Sequence, residues 1–341
     1  MRETELIEWI RLQSKLDPSA VPVGPGDDTA ILMCGSEKLL VTVDQLLDGV
    51  HFILSQHGPQ NAGGKAMARS LSDIAAMAAL PIGSVVTVAM PGGFPRSDAE
   101  ALYNGLRKAG DKFRCPIVGG DVGVWGGPLA VTVTVFGRPA GIRPILRSGA
   151  RVGDAICVTG SFGGAWKSQR HLKFAPRIHE ARILASRHEL HAMIDVSDGV
   201  ATDLYHMCKA SGAGAEVNAD AVPIHSDAKN DPTGGSPLIA ALQDGEDYEL
   251  LFALPAEQAD QLLHDQPLTV RVTKIGAIVA DKTMTLVYPD GKREPLPPKG
   301  WEHQTKEPKE SKDSKEVKEP KEPKEPKEPK ESKDSKDPKE S

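Results

Sequence analysis

A chain of 341 residues with 39% hydrophobic, 26% charged and only 4% aromatic side chains is long enough for two ordinary domains around an Ala-, Val- and Leu-built core. Its net charge of -6, with no basic stripe to reverse it, argues against a nucleic-acid partner. Cys34, Cys115, Cys157 and Cys208 lie far apart and form no Cys-x-x-Cys pair, so neither a disulfide framework nor a zinc site follows; buried, reduced thiols in a cytoplasmic protein are expected.

Residues 1–10 are charged and read as the start of a helix, not as a signal peptide. Residues 39–43 are a β-rich run, 61–79 have helical spacing, and 85–90 are a second β-rich run. The stretch 74–90 carries no charge, but Pro81 and Gly83 divide it into a short helix and a strand, so it is not a membrane span. A helix over 98–113 follows, with Asp98 and Glu100 in its first turn, and then a strand over 129–136. Gly, Pro and Arg accumulate over 137–153, which places a domain boundary near residue 140. Beyond it come a strand at 155–159, a helix over 179–188, a strand-turn-helix over 192–211, and a strand-helix-strand set over 249–287. The expected organisation is two α/β domains, 1–140 and 141–303.

Residues 304–341 differ in kind. From Lys306 onward every Lys is followed by Glu or Asp, and the twelve Lys balance twelve acidic residues, so the net charge belongs to the body. Pro recurs every third residue through much of this segment and apolar side chains are nearly absent. Such a segment cannot bury a core, and it reads as an extended, disordered, solubilising tail.

The chemistry points to a series of aspartates that end apolar strands or sit in Gly-rich turns: Asp27 and Asp28 after Gly24-Pro25-Gly26, Asp44 closing 39–43, Asp73, Asp121 after Gly119-Gly120, and Asp195 with Asp198 before Gly199. Any one of them is more often a turn or helix cap than a ligand. As a series they suit hard cations such as Mg²⁺, which take one or two carboxylates each and fill their remaining positions with water and phosphate oxygens. The usual nucleotide motifs are missing. Gly63-Gly64-Lys65 lacks the spacing and the hydroxyl residue of a P-loop, and no Gly-x-Gly-x-x-Gly follows a strand.

Seven pieces occur in order: Gly-Pro-Gly-Asp-Asp-Thr-Ala at 24–30, Asp44 followed by Gly-Val-His-Phe at 49–52, Ser-Asp-Ile-Ala-Ala-Met at 72–77, Val-Gly-Gly-Asp at 118–121, Arg-Ser-Gly-Ala-x-Val-Gly-Asp at 147–154, Ile-Asp-Val-Ser-Asp-Gly at 194–199 and Gly-Glu-Asp-Tyr-Glu-Leu at 245–250. This set resembles the thiamine-monophosphate kinase family of the aminoimidazole-ribonucleotide-synthetase-like superfamily, over essentially all of residues 1–303. The resemblance implies a two-domain α/β (α+β) fold whose N-terminal domains pair into a dimer sheet or barrel, giving a homodimer. It implies an ATP site without a P-loop, in the groove between domains. By motif position Asp28, Thr42, Val43 (through its carbonyl), Asp44, Asp73, Asp121, Asp195 and Asp198 would hold several Mg²⁺ ions. Gly120, Asp121, Arg147, Ser197 and Tyr103 would meet ATP. His51 and Glu246 would hold thiamine monophosphate, and Trp301 would stack on its rings. No general base is expected, because the acceptor is a phosphate monoester that is already anionic. Phosphoryl transfer is then a matter of positioning and charge neutralisation, and direct in-line transfer to give thiamine diphosphate, with no phosphoenzyme, is expected.

The sequence departs from the family pattern at Val43-Asp44-Gln45, where Thr-Asp-Thr is usual, and at Val122-Gly123, where Thr-Thr is usual. Ser70 stands for Asn, and Pro25 for an aliphatic residue. A non-catalytic thiamine-phosphate or nucleotide-binding homologue, or another ATP-using enzyme of the superfamily, are the alternatives. On residues alone His51 could be a turn histidine, Glu246 and Asp247 could cap a strand, and Trp301 could cover core surface.

Overall fold

The computed structural model describes residues 3–231 and 233–301; the expected tail over 304–341 lies outside them. Helix α1 (Glu3–Gln13) precedes the first sheet. Strands β1 (Ala30–Cys34), β2 (Glu37–Leu47), β3 (Leu80–Pro91), β4 (Ile117–Trp125) and β5 (Ala130–Arg138) form that sheet in the order β1-β2-β5-β3-β4. All neighbours are antiparallel except β3 and β4. Parallel strands need a crossover, and α3 (Arg96–Asp111) supplies it. In β5 the alternation is plain: Val131, Val133 and Val135 are buried, while Thr132 and Thr134 face the other way.

Helix α2 (Leu54–Ala76) covers the buried face. Its first turn is set off by Gly58, at φ 73°, with Pro59 next to it. Met67, Leu71 and Ile74 are fully buried. Helices α2 and α3 approach closely where both carry glycine: a Cβ on Gly63 would fall 2.1 Å from the Leu102 carbonyl oxygen, and one on Gly105 would fall 2.0 Å from that of Gln60.

The second sheet contains β6 (Ala155–Thr159), β7 (Ala192–Val196), β8 (Gly214–Asn218), β9 (Glu249–Leu254), β10 (Val272–Val279), β11 (Met284–Val287) and β12 (Arg293–Pro295), in the order β12-β11-β8-β10-β6-β9-β7. Every residue of β6, β7 and β9 is buried, as expected of strands covered on both faces, which read as continuous apolar runs. The helices of this half are α4 (Ile178–Arg187), α5 (Val200–Ser211), the short α6 (Ser226–Lys229), α7 (Pro237–Gln243) and α8 (Ala256–Asp265). One apolar cluster joins Leu71 and Ile74 of α2 to Leu184, Met193 and Phe252 of the second half. From Asn61 onward helix α2 therefore lies buried between the two sheets with no exposed residue, while Ser55, Gln56 and Gln60 of its first part are exposed.

Three sequence expectations change. The helix-to-strand break in the uncharged stretch falls at residues 77–79; Pro81 and Gly83 lie inside β3, on either side of a register shift. Strand β4 does not end at Gly119-Gly120-Asp121 but runs on to Trp125, because Gly120 is needed for a close strand approach: a Cβ there would fall 1.9 Å from the Val86 carbonyl oxygen. Cys34 is exposed, while Cys115, Cys157 and Cys208 are buried. Among the described residues no helix is long and apolar enough to cross a membrane.

Candidate active site

Four separate segments bring carboxylates to one place. Asp28 sits in the turn before β1, where Gly26 takes φ 116°. Thr42 and Asp44 are two apart on β2 and so share a face. Asp73 is in the last turn of α2, and Asp195 is near the end of β7. Single oxygens of Asp28, Asp73 and Asp195 lie within 4.8 Å of one another. Asp28 Oδ2 is buried and has no hydrogen-bond partner.

The surroundings support these charges only in part. Thr42 Oγ1 donates to Asp73 Oδ2, and Ser72 Oγ donates to Asp195 Oδ2 at 2.6 Å. Arg147 Nη2 reaches Asp28 Oδ1 at 2.6 Å, and its amide donates to Asp27 Oδ1 at 3.2 Å. Arg69 Nη2 meets Asp44 at 3.3 Å. Burial pushes Asp28 up to about 6 despite Arg147. Burial, with Asp28 as the next cause, pushes Asp195 up to about 7. Asp73 is raised well above the carboxylate range by burial and by Asp44, Asp195 and Asp28. Crowded oxygens with raised proton affinity and one orphaned acceptor are what a hard divalent cation would relieve.

The turn after β7 carries Ser197 and Asp198. Asp203 of α5 fastens it, accepting from the amides of Asp198 at 3.0 Å and Gly199 at 3.1 Å. Glu246 and Tyr248 both take positive φ, 64° and 51°. Non-glycine residues persist there only when their surroundings over-determine them. Here the Glu246 amide donates to the Ser197 carbonyl at 2.7 Å, and the Tyr248 amide donates to that of Val196 at 2.8 Å.

His51, Glu246 and Trp301 lie around one centre. The His51 and Trp301 rings are 5.4 Å apart, and the Trp301 amide donates to the Asp198 carbonyl at 3.1 Å. Lys65, fully buried on α2, contacts the Glu246 carboxylate at 2.8 Å and the His51 carbonyl at 2.7 Å. Burial pulls its ammonium down to about 8, with Glu246 opposing.

The remaining expected residues fall elsewhere. Gly120, Asp121 and Tyr103 line a cleft of about 420 Å³ between α3 and the β3–β4 edge, floored by Val86, Val88 and Leu106. Register places Asp121 beside Thr87, Thr87 beside Thr132, and Thr132 beside Gln45. That is three strand spacings, about 14 Å, from β2. Within one chain Asp121 therefore does not join Asp28, Asp73 and Asp195, because the sheet order sets β4 at the edge far from β2. Asp44 and Asp121 both lie inside strands and do not end them. Val43 is 61% exposed, on the face of β2 opposite Thr42 and Asp44.

Comparison with known proteins identifies the family. The family model "AIR synthase related protein, N-terminal domain" matches residues 26–138, and its C-terminal counterpart matches 151–289. A thiamine-monophosphate kinase of Rhodopirellula baltica is 36% identical over 311 residues, covering 88% of this chain and 97% of that protein. One of Aquifex aeolicus is 31% identical, covering 82% and 92%. A solved structure, AaThiL complexed with AMPPCP and TMP, superposes with a TM-score of 0.76 at 30% identity, covering 89% of this chain and 97% of that one. The chain belongs to the thiamine-monophosphate kinase family.

For a member of this kinase family the sequence reading left out four side chains that shape the site: Lys65, Arg69, Asp203 and Asp27's link to Arg147. Two carried a signal. Lys65 is the one charge in a run of small and apolar residues, Ala62 to Met67, which marks it as buried and paired. Asp203, four residues after Gly199, is an acid in the first turn of a helix, placed to cap it. Arg69 and Asp27 gave none, since their partners come from distant segments.

Proposed function

We propose that this thiamine-monophosphate kinase transfers the γ-phosphoryl group of ATP to thiamine monophosphate at the Asp28–Asp73–Asp195 cluster, by direct in-line displacement. The observation that carries the reading is the set of three carboxylate oxygens within 4.8 Å of one another, poorly supplied with donors. Such a set fits Mg²⁺, and the bound ions would neutralise the phosphate charge that otherwise keeps donor and acceptor apart. Asp28, Asp73 and Asp195 would hold it, with Thr42, Asp44, Asp198 and the Val43 carbonyl beside them.

Arg147 fixes Asp28 and presents positive charge to the phosphates, and Ser197 lies in the turn just after Asp195. Gly120, Asp121 and Tyr103 provide a second place for the nucleotide, in the cleft beside α3. His51, Glu246 and Trp301 orient the acceptor, whose phosphate needs no base to activate it. A second copy of the chain pairs with the N-terminal sheet, which leaves β4 as an edge with Val118, Val122 and Val124 all at least 65% exposed. A cytoplasmic location belongs to the same reading. The departure at Val43 does not favour a non-catalytic homologue, because that side chain faces away from the cluster.

The test is formation of thiamine diphosphate by the purified chain with ATP, Mg²⁺ and thiamine monophosphate. Asp28→Asn and Asp195→Asn are expected to lower kcat at least about 100-fold, the scale of removing one preorganised electrostatic group. Turnover surviving in both variants would place the chemistry elsewhere. Chemical quench with labelled ATP alone should trap no covalent phosphate.

A further inference from the structure

One buried ammonium ties together two histidine–tryptophan pairs. Lys65 Nζ contacts the His51 carbonyl at 2.7 Å, His171 Nδ1 at 2.8 Å and the Glu246 carboxylate at 2.8 Å. Trp301 rests against the His51 ring at 5.4 Å, and Trp166 stacks on the His171 ring at 4.5 Å with 20° between their planes. Trp166 also lies 5.6 Å from Lys65 Nζ and edge-on to His57 at 6.2 Å. Each tryptophan keeps 39% of its surface exposed. Both indoles are thus anchored to the same centre, and Trp166 keeps an exposed part of its surface beside it.

We propose that Trp166 is a second aromatic platform of the acceptor site, a specificity-determining residue that stacks on the flat, cationic ring system of thiamine monophosphate alongside Trp301. The inference rests on the kinase reading above. The acceptor carries a thiazolium and a pyrimidine, two rings of which one is positively charged. A single indole can face only one of them, and an indole face attracts a cation as well as excluding water. Lys65 serves as the positioning residue. Its own charge would repel a thiazolium, but it is fully buried and directed at Glu246, the His51 carbonyl and His171. His171 is itself fully buried, and its Nε2 has no partner. Burial and Lys65 pull its pKa down to about 3, so the imidazole is neutral, accepts from Lys65 and adds no charge beneath the Trp166 ring. Stacking on this fixed ring holds Trp166 in one orientation before any ligand arrives, and such preorganisation favours affinity.

The bland alternative is that Trp166 only shields Lys65. Steady-state kinetics of the full chain, with thiamine monophosphate and ATP varied separately, distinguish the two for wild type, Trp166→Leu and Trp166→Phe. Leucine keeps an apolar cover and removes the flat face. It is expected to raise KM for thiamine monophosphate about tenfold, ~1.4 kcal/mol, with KM for ATP and Tm unchanged. Phenylalanine should restore most of the loss. An unchanged KM for thiamine monophosphate in Trp166→Leu overturns the proposal, and so does a joint rise in both KM values with a fall in Tm, the mark of a structural cover. A wild-type chain that forms no thiamine diphosphate overturns the kinase reading itself and this inference with it. An active wild type with an unaffected leucine variant overturns only the role of Trp166.

Discussion

Burial and mutual repulsion push Asp195 up to about 7 and Asp28 up to about 6, both above the unfolded value of about 3.9. A group whose pKa is raised by folding contributes stability below its unfolded pKa and loses it as the pH rises through its folded value. The metal-free protein should therefore lose stability from about pH 4 to about pH 7. Asp195→Asn should flatten that slope and stabilise the protein at pH 8 by an amount on the order of a few kcal/mol, seen as a higher Tm. Mg²⁺ should stabilise the wild type at pH 8 and the variant much less, since a ligand stabilises only the state that binds it. Thermal melts in chelator and in Mg²⁺ across this pH range check the prediction. A variant that melts lower than wild type in chelator at pH 8, yet gains as much from Mg²⁺, would sink it. The acids of this cluster were readable in the sequence because each is short, polar and set beside glycine or at an apolar run. Lys65 was passed over despite its lone charge in a small, apolar run, because Gly63-Gly64-Lys65 invites comparison with a phosphate loop, whereas the fold places it on the part of α2 from Asn61 onward, where no residue is exposed.

At the scale of elements, the contact between α2 and α3 positions both parts of the site. Helix α2 carries Lys65, Arg69 and Asp73, and α3 carries Tyr103. Their closeness depends on Gly63 and Gly105, where an added Cβ would meet backbone carbonyl oxygens at 2.1 and 2.0 Å. Backbone cannot rotate aside as a side chain can, so Gly105→Ala must push the helices apart. The expected cost is about 1–3 kcal/mol, read as a lower urea midpoint with an unchanged slope. The cleft beside Tyr103 should widen, raising KM for ATP more than KM for thiamine monophosphate. A variant as stable as wild type would show that α3 moves freely. Periodicity revealed α3, β6, β7 and α5 nearly to their ends, and α2 without its first seven residues. It failed where glycine serves strand approach and not turning, as at Gly120, and for β1, β8, β12 and the short α6 and α7, whose few residues span too little of any period.

Across the described residues as a whole, two sheets share α2, so the second half has its own covered strands while the first keeps one face and one edge open. Strand β4 pairs only with β3, yet its side chains Val118, Val122, Val124 and Trp125 are all at least 50% exposed. An edge strand with such side chains and no protecting charge beyond Asp121 is a template for pairing with another chain. Together with the threonine-bearing outward face of β5 and the exposed Val43 on β2, it offers a continuous surface of β-branched residues, suited to a matching sheet from a second copy. The wild-type chain should sediment at twice its own mass. Val124→Asp places a carboxylate on this edge without touching the acidic cluster or the acceptor residues, and it should shift the protein to monomer. Gly120, Asp121 and Tyr103 lie beside the same edge, so the monomer should bind ATP more weakly while still binding thiamine monophosphate. Sedimentation and separate titrations of the two ligands check both parts. A Val124→Asp protein that remains dimeric, or a monomer with undiminished ATP affinity, would detach the nucleotide cleft from the edge. The 14 Å between Asp121 and β2 would then have to be spanned within one chain.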